Sequence, residues 1–346
     1  MDSGSDRQAK PPVPPRRRRL TRDEYVEGVL RSDRIILSQA ITLIESSRAD
    51  DAELAQDVLE QCLPHSGDSI RVGITGVPGA GKSSLIEVLG TYLTRDCGEK
   101  VAVLAVDPSS QVSHGSILGD KTRMESLAVE ESAFIRPSPS GGSLGGVARR
   151  TRETMLLCEA AGYRNVLVET VGVGQSETAV RSMVDFFLLL MLAGAGDELQ
   201  GMKRGIIEMT DLVAFNKAEG PNRAKAEAAR REVESALHLF SRAGSGWSPR
   251  AITCSARARE GVSDIWDAVL DHHDWLTSTG QFEGYRRAQV KSWMYESIEQ
   301  ALREEFLNHD GVRERLPEFE QEVLDGRISP FRAARRLIGI YTENLP

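Results

Sequence analysis

Along the chain, segments whose apolar residues alternate as in a β-strand are followed by segments whose apolar residues recur at helical spacing. Ile70, Val72 and Ile74 alternate with smaller or polar residues as in a β-strand, and the apolar positions between Leu85 and Leu93 then recur at helical spacing. Further strands are predicted at residues 101–106, 133–135, 165–168, 186–192, 211–215 and 251–254. Strands that alternate with helices are typical of a mostly parallel sheet flanked by helices, so the pattern predicts an α/β fold.

The two ends of the chain are helical without intervening strands. Between Leu20 and Leu63 two apolar stripes recur at helical spacing, and Pro64 ends the second helix. A helix predicted from Asp264 to Leu276 is followed by a linker at 277–280. Two further stripes come after this linker: Met294, Ile298, Leu302 and Phe306, then Ala334, Leu337, Ile338 and Tyr341. Because so few helical residues rarely form a core alone, we expect these stripes to pack against the body or a second copy of the chain.

Composition is typical of a globular protein, with one unusual tail. Hydrophobic residues make up 40% and charged residues 27%, and 43 basic against 51 acidic side chains leave a net charge of −8. This balance argues against general nucleic-acid binding. Residues 1–19 depart from it, because they contain four prolines and the run Arg16 to Arg19 with hardly any large apolar residue. We expect disorder there, either as a solvated tail or as a contact for an acidic partner.

The sequence contains no clear membrane or disulfide signal. The longest apolar run, from Phe186 to Ala193, is too short to span a bilayer, and no signal peptide is recognisable. The four cysteines lack a C-x-x-C pair, which argues against a disulfide framework or a zinc site. We therefore expect a cytoplasmic protein that does not bind membranes. Its expected organisation is a tail at 1–19, an N-terminal helical extension at 20–65, an α/β domain at 66–279 and a C-terminal helical arm at 280–346.

The segment between the first strand and its helix carries the strongest motif. It reads G-V-P-G-A-G-K-S and fits the phosphate-binding pattern G-x-x-x-x-G-K-[ST]. The glycines allow backbone N–H groups to face phosphate oxygens, and the helix N-terminus adds positive partial charge. Lys82 then reaches the β- and γ-phosphates and Ser83 holds Mg²⁺. The alternative, a glycine-rich turn that merely begins a helix, does not account for Lys-Ser after the last glycine. The predicted phosphate-binding residues are Gly76, Val77, Pro78, Gly79, Ala80, Gly81, Lys82, Ser83 and Ser84.

Acidic residues after later strands are candidates for the metal site. Asp107 and Glu169 each follow a buried strand, and glycine follows Glu169 three positions later. P-loop GTPases hold Mg²⁺ and sense the γ-phosphate with this arrangement. Asp120, in the long polar loop 107–123, is a third candidate, although a capping-box pattern two residues later gives it a purely structural alternative.

Other loops at strand ends contain candidate catalytic groups. Gln175 is placed to orient the attacking water, with a merely solvent-exposed glutamine as an equal alternative. Lys203 and Arg204 lie in the polar segment 194–205, where they either bring positive charge to the phosphates or simply begin a solvated helix. The glycine-rich loop 136–146 is either a conformational element or an inert connector.

Two short motifs point to guanine as the base. Residues 216–219, N-K-A-E, follow a predicted strand and are similar to N-K-x-D, whose carboxylate accepts hydrogen bonds from N1–H and N2–H₂ of guanine. The Ser-Ala pair after the strand at 251–254 offers backbone N–H groups to guanine O6. Adenine presents no matching donor pair, so the motifs predict binding of GTP and GDP. The predicted base-binding residues are Asn216, Lys217, Glu219, Ser255 and Ala256.

Several of these segments together resemble one family of GTPases. Residues 72–83 (VGITGVPGAGKS), 101–110 (VAVLAVDPSS), 168–177 (VETVGVGQSE) and 194–201 (GAGDELQG) closely resemble motifs of the MeaB/ArgK GTPases. The resemblance extends from about Leu20 to the C-terminal helices. The sequence departs from the family pattern where QVSH at 111–114 replaces the usual TRTG, and where Glu219 replaces the usual Asp.

The resemblance implies a SIMIBI-class P-loop G domain that acts as a GTP-hydrolysing chaperone. Family members gate cofactor loading, and removal of damaged cofactor, in adenosylcobalamin-dependent acyl-CoA mutases, chiefly methylmalonyl-CoA mutase. They hydrolyse GTP slowly until the mutase binds, and they form homodimers through a C-terminal helical arm. By matching position, the resemblance assigns phosphate and Mg²⁺ binding to Lys82 and Ser83, the metal-site carboxylates to Asp107, Asp120 and Glu169, and partner-dependent activation to Lys203.

Two other functions on the same fold are alternatives. A nickel-delivering GTPase needs cysteine or histidine ligands near the P-loop or the nucleotide-sensing loops, and only His114 is available there. An ATP-dependent kinase linked to amino-acid transport is an older label for the same motifs, and the guanine-binding loops argue against it. The sequence therefore predicts a GTPase chaperone with GTP, GDP and Mg²⁺ as ligands and an acyl-CoA mutase as partner.

Overall fold

The sheet is built from strands close to the predicted positions. The computed structural model describes residues 19–46, 48–106, 124–137, 144–170, 176–194, 204–239 and 246–343. Its strands are β1 (Ile70–Gly76), β2 (Val101–Val106), β3 (Ala133–Arg136), β4 (Asn165–Thr170), β5 (Phe186–Leu192), β6 (Leu212–Asn216) and β7 (Arg250–Thr253). Each predicted strand is present, and its bounds move by at most two residues.

The described strands form a single parallel sheet. Their order is β3-β2-β4-β1-β5-β6-β7, with β1 at the centre between β4 and β5. All carboxyl ends therefore lie at one edge of the sheet, and all amino ends at the other. The predicted α/β fold with a parallel sheet is confirmed.

Helices cover both faces of the sheet, and further helices lie at both ends of the chain. They are α1 (Arg22–Leu30), α2 (Arg34–Glu45), α3 (Ala49–Cys62), α4 (Lys82–Arg95), α5 (Glu125–Ala128), α6 (Leu144–Ala160), α7 (Ser176–Arg181), α8 (Arg204–Met209), α9 (Arg223–Leu239), α10 (Val262–Ser278), α11 (Gln281–Asn308), α12 (Asp310–Leu324) and α13 (Pro330–Glu343). Short 3₁₀ turns lie at Leu63–His65 and Gly220–Asn222. Within the described ranges, no helix is both long and apolar enough to cross a membrane.

Burial on both faces explains why the central strands are almost continuously apolar. Every residue of β2 and the first six residues of β5 are buried. On one face, Val72 and Ile74 pack with α4 through Leu85 and Leu89. The opposite face is covered by α6, α7 and the N-terminal helices. Such double coverage is characteristic of parallel sheets.

The N-terminal helices are part of the body of the protein. Thr21 begins α1 with a capping box to Glu24, and the side chain of Asp33 caps α2. The apolar face of α2 is buried, including Leu37 and Ile41. These helices pack against α6.

The C-terminal helices differ from the prediction in two respects. Helix α10 continues to Ser278, so the predicted linker shrinks to Thr279 and Gly280 before α11 begins. In the apolar stripe assigned to the last helix, Leu337 and Tyr341 pack in the cluster with α12, whereas Ala334 and Ile338 are exposed and Ala333 is buried instead. Neighbouring positions on α13 are both apolar, so spacing alone did not identify the packed face. On α11, the predicted stripe residues Met294, Ile298 and Leu302 are 51%, 45% and 56% exposed.

Candidate functional site

The P-loop lies at the carboxyl edge of the sheet, between β1 and α4. Gly76 ends β1 at φ 153°, and a Cβ there would lie 2.2 Å from the backbone oxygen of Leu190. Gly79 and Gly81 adopt φ values of 80° and 91°, which side chains other than glycine rarely reach. The motif glycines thus turn the chain sharply from the central strand into the N-terminus of α4. This is the strand, loop and helix geometry that phosphate binding requires.

Lys82 is held inside the loop by backbone carbonyls. Its Nζ donates to the oxygen of Gly76 at 2.8 Å and to that of Val77 at 3.5 Å. Burial lowers the pKa of Lys82, and the carboxylates of Glu169 and Glu177 act in the opposite direction without restoring the ordinary value. The ammonium group therefore lies among acceptors that nucleotide phosphates can replace.

Ser83 and Glu169 form a hydroxyl–carboxylate pair beside Lys82. The Ser83 hydroxyl donates to Glu169 Oε1 at 3.0 Å, and Glu169 is 5% exposed at the end of β4. The hydroxyl of the next residue, Thr170, donates to that of Thr75 at 2.9 Å and links β4 to β1. Hydroxyl and carboxylate oxygens are the ligands that Mg²⁺ prefers, so Ser83 and Glu169 fit the predicted metal role. The other predicted carboxylates, Asp107 and Asp120, lie outside the described residues.

Asn216 joins the P-loop to the predicted base-binding loops. Its amide nitrogen donates to the Ala80 oxygen at 2.8 Å, and its amide oxygen accepts from the backbone N–H of Ala256 at 3.0 Å. The neighbouring Lys217, at φ 60°, donates from Nζ to the Gly79 oxygen at 2.8 Å. Two consecutive side chains at the carboxyl end of β6 therefore fix the phosphate loop and the base loops relative to each other.

Glu219 carries an acceptor oxygen that is available to a ligand. Its Oε2 atom is buried and has no hydrogen-bond partner among the described residues. A buried carboxylate oxygen without a donor is costly, and guanine offers two donors on one edge. The geometry is therefore compatible with the predicted role of Glu219 in binding guanine. Cys254 lies nearby, where burial and the charge of Glu219 raise the pKa of its thiol to about 12.

The second base loop is more fully bonded than the sequence indicated. The backbone N–H of Ser255 donates to the Glu260 oxygen at 2.9 Å, while that of Ala256 donates to Asn216. Contact of either N–H with guanine O6 therefore requires it to share or exchange its present bond. Both residues are nevertheless buried beside Asn216, at the edge of the sheet where a base is expected.

Sequence reasoning missed one charged group in this region. Glu177, in the first turn of α7, is 3% exposed and acts electrostatically on Lys82. An acidic residue directly after the glycine-rich motif was the available signal, but burial could not be inferred from it. Gln175 and Lys203, as well as His114, lie outside the part of the chain that the structure describes.

Comparison with known proteins agrees with this geometry. The family model described as methylmalonyl-CoA mutase-associated GTPase MeaB matches residues 37–310. GTPase ArgK of Escherichia coli is 46% identical over 318 residues, which cover 91% of this chain and 95% of that protein. The mitochondrial methylmalonic aciduria type A homolog of Mus musculus is 46% identical over 326 residues, which cover 91% of this chain and 78% of that protein.

A solved structure with the same fold matches over nearly the full length of the chain. It is titled a LAO/AO transport system kinase, and it is 37% identical to this chain with a TM-score of 0.72. The match covers 93% of this chain and 97% of that one. Such identity over nearly the full length, together with the match of the family model, identifies the chain as a GTPase of the MeaB family.

Proposed function

We propose that this GTPase is a GTP-gated chaperone of an adenosylcobalamin-dependent acyl-CoA mutase, with methylmalonyl-CoA mutase as the first candidate. The observation that carries the proposal is the match at 37–310, which includes both the P-loop and all of α11, to a family named for its association with that mutase. The name of the mouse relative, which refers to methylmalonic aciduria, supports the same partner.

Catalysis in this proposal depends on the placement of charge. Lys82 turns from the Gly76 oxygen to the β- and γ-phosphates and offsets their charge as the γ-phosphoryl group is transferred. Ser83 and Glu169 would hold Mg²⁺, which when bound supplies positive charge to the phosphate oxygens. Asn216 keeps the base loops in register with the P-loop, so that binding of guanine helps to align the phosphates.

A set of side chains on α11 offers a route from the nucleotide site to a partner. Helix α7 begins next to the site, and three polar side chains of α11 hold the connector that leads from the other end of α7 to β5. Trp293 donates to the Ser182 oxygen at 3.0 Å, and Tyr285 and Gln289 donate to the Val184 oxygen at 3.0 and 2.8 Å. A shift of α7 on GTP binding or hydrolysis would therefore move α11.

We further propose that a second copy of the chain covers the exposed apolar residues of α11. Met294, Ile298 and Leu302 lie one helical turn apart and are each about half exposed in the single chain. Light scattering should therefore report a dimer, and Ile298→Glu should shift it toward the monomer. Glu299→Gln, at the next position, is the control that leaves the apolar face intact.

The function is tested by measuring GTP hydrolysis with and without purified methylmalonyl-CoA mutase. We expect slow hydrolysis that accelerates when the mutase is added, and none of comparable rate with ATP. Heat-inactivated mutase and an unrelated acyl-CoA enzyme serve as controls. Absence of stimulation by every adenosylcobalamin-dependent acyl-CoA mutase tested would refute the chaperone role, and preference for ATP would favour the kinase alternative.

A further inference from the structure

Glu177 is a buried carboxylate to which the nucleotide-binding motifs assign no function. It is 3% exposed, and Ser176 before it is 1% exposed. Burial of a carboxylate is unfavourable unless a positive charge or hydrogen-bond donors compensate for it. Compensating groups are therefore expected around this side chain, and Lys82 is one of the charges that interact with it.

The way α7 packs on β1 explains where Glu177 lies. Gly73 has no side chain, and a Cβ there would lie 2.7 Å from Phe187 and 2.9 Å from Val180. Helix α7 can thus pack directly on the central strand through Val180. Five residues after Val180, beyond the end of α7, Asp185 reaches the amino end of β1, where its carboxylate accepts from the backbone N–H of Arg71 at 2.9 Å.

The first turn of α7 must consequently lie toward the opposite, carboxyl end of β1. Glu177 precedes Val180 by three residues, which is one helical turn. It is thus on the side of the sheet edge where β1 leads through Gly76 into the P-loop. Helix α7 also packs against β4, the strand that ends in Glu169 and Thr170.

Two carboxylates therefore act on Lys82, and they are placed differently. Glu169 accepts the Ser83 hydroxyl and lies where a metal ion would compensate its charge. Glu177 belongs to a different element and favours the charged form of Lys82 from the side of α7. When triphosphate enters, Lys82 must turn to the phosphates, and the negative charge of Glu177 then opposes both that movement and the phosphates themselves.

We propose that Glu177 is a positioning residue that competes with nucleotide phosphates for Lys82 and thereby weakens the binding of GDP and GTP. This counter-charge limits the lifetime of bound GDP and favours release of product without a separate exchange protein. The inference needs only that the chain is a GTPase, and it is independent of the mutase partner.

The test is a titration of Glu177→Gln with fluorescent GDP and with a non-hydrolysable GTP analogue. We expect both to bind more tightly than to the wild type, on the order of tenfold, because one negative charge beside the phosphates is removed. The dissociation of GDP should slow by a similar factor. Affinity for guanosine, which has no phosphate, should not change. A merely structural role would not produce tighter binding restricted to phosphorylated ligands.

Matched variants separate this effect from others. Glu177→Asp keeps the charge and should resemble the wild type, and Glu283→Gln removes an exposed charge at the amino edge and should change nothing. In a Lys82→Met background the gain from Glu177→Gln should fall, since the competition acts through Lys82.

The result that overturns the proposal is equal or weaker nucleotide binding by a folded Glu177→Gln protein. If that variant does not fold, Glu177→Ala carries the same expectation. Failure of both variants to fold would assign Glu177 a structural role and equally overturn the proposal. Because no mutase is present, either outcome leaves the chaperone function to its own test.

Discussion

The two edges of the sheet differ in how far the protein itself compensates their buried charges. At the amino edge, Arg71 and Glu159 are 3% and 1% exposed and form two hydrogen bonds of 2.6 and 2.9 Å. Arg286 adds a bidentate contact to Asp185. The ring of Trp293 lies between the guanidinium groups of Arg71 and Arg152, at 5.5 and 5.4 Å. Each of these charges has a protein partner of opposite sign or an aromatic face.

At the carboxyl edge, by contrast, polar groups are only partly compensated by the protein. Lys82 rests on backbone carbonyls, and Glu219 has a buried oxygen without a partner in the described residues. The comparison shows that this protein fixes its sheet at one edge and keeps bonding capacity for a ligand at the other. Substitutions at the amino edge should therefore cost stability, and those at the carboxyl edge should cost function.

The largest expected effect is on stability, from Arg71→Ala. Removal of one partner leaves Glu159 charged and buried, which should destabilise the protein by about 3–5 kcal/mol. Urea denaturation gives the change in free energy of unfolding. The control is Arg164→Ala, whose exposed ion pair with Asp68 should contribute less than about 1 kcal/mol. Equal effects of the two substitutions would show that burial of the Arg71–Glu159 pair adds nothing to its contribution to stability.

Lys82→Ala should produce the converse result. We expect GTP turnover to fall by about a hundredfold or more, because a cation aimed at the transferring phosphoryl group is lost, while the unfolding midpoint changes little. Lys225→Ala, on the exposed part of α9, is the matched control. Retained turnover in Lys82→Ala would show that the phosphate site is misassigned.

Acid should weaken the amino edge through Glu159. Burial alone would raise the pKa of Glu159, but the charge and hydrogen bonds of Arg71, the Ser69 hydroxyl and Arg286 together hold it below its ordinary value of 4.5. The ionised carboxyl therefore stabilises the fold above pH 4.5, and this contribution is lost as the pH falls through the folded-state pKa. The stability difference between wild type and Glu159→Gln, measured in urea from pH 7 downward, should shrink below that pH. A constant difference would contradict the ion pair.

The smallest effect is expected at the base loop. Glu219→Asp should tighten binding of GDP by a few fold, because the shorter side chain restores the usual reach of the carboxylate to guanine. A competition titration with GDP measures the change, and inosine diphosphate, which keeps N1–H but lacks the exocyclic N2–H₂ donor, provides the control. Unchanged affinity would mean that Glu219 either already bonds the base or never does.

Local patterns were sufficient to predict most of the carboxyl edge. Strand runs, the glycines of the P-loop and the polar tetrapeptide after β6 are contiguous in sequence, and their physical requirements are local. Contacts between such segments were not predictable. The bond from Asn216 to Ala80 and the burial of Glu177 both depend on how distant elements pack.

The amino edge was missed altogether, for the same reason. Ser69 and Arg71 meet Glu159 across about 90 positions of sequence, and Arg286 joins them from the far end of the chain. No short motif marks such a network, because its members become neighbours only after the sheet has formed. The packed face of α13 was predicted only in part for a related reason, since adjacent apolar residues leave the choice of face to tertiary packing.

The attachment of α11 to the amino edge of the sheet has a mechanical consequence. Its 28 residues make a rod about 42 Å long, gripped near one end by the body through Tyr285, Arg286, Gln289 and Trp293. About 22 Å of the helix lies beyond Trp293, so a tilt of about 5° at the grip would carry the far end through about 2 Å. The helix would thus act as a lever. A small displacement of α7 beside the phosphates would become a larger displacement at the far end of α11, where a second protein surface can respond to it.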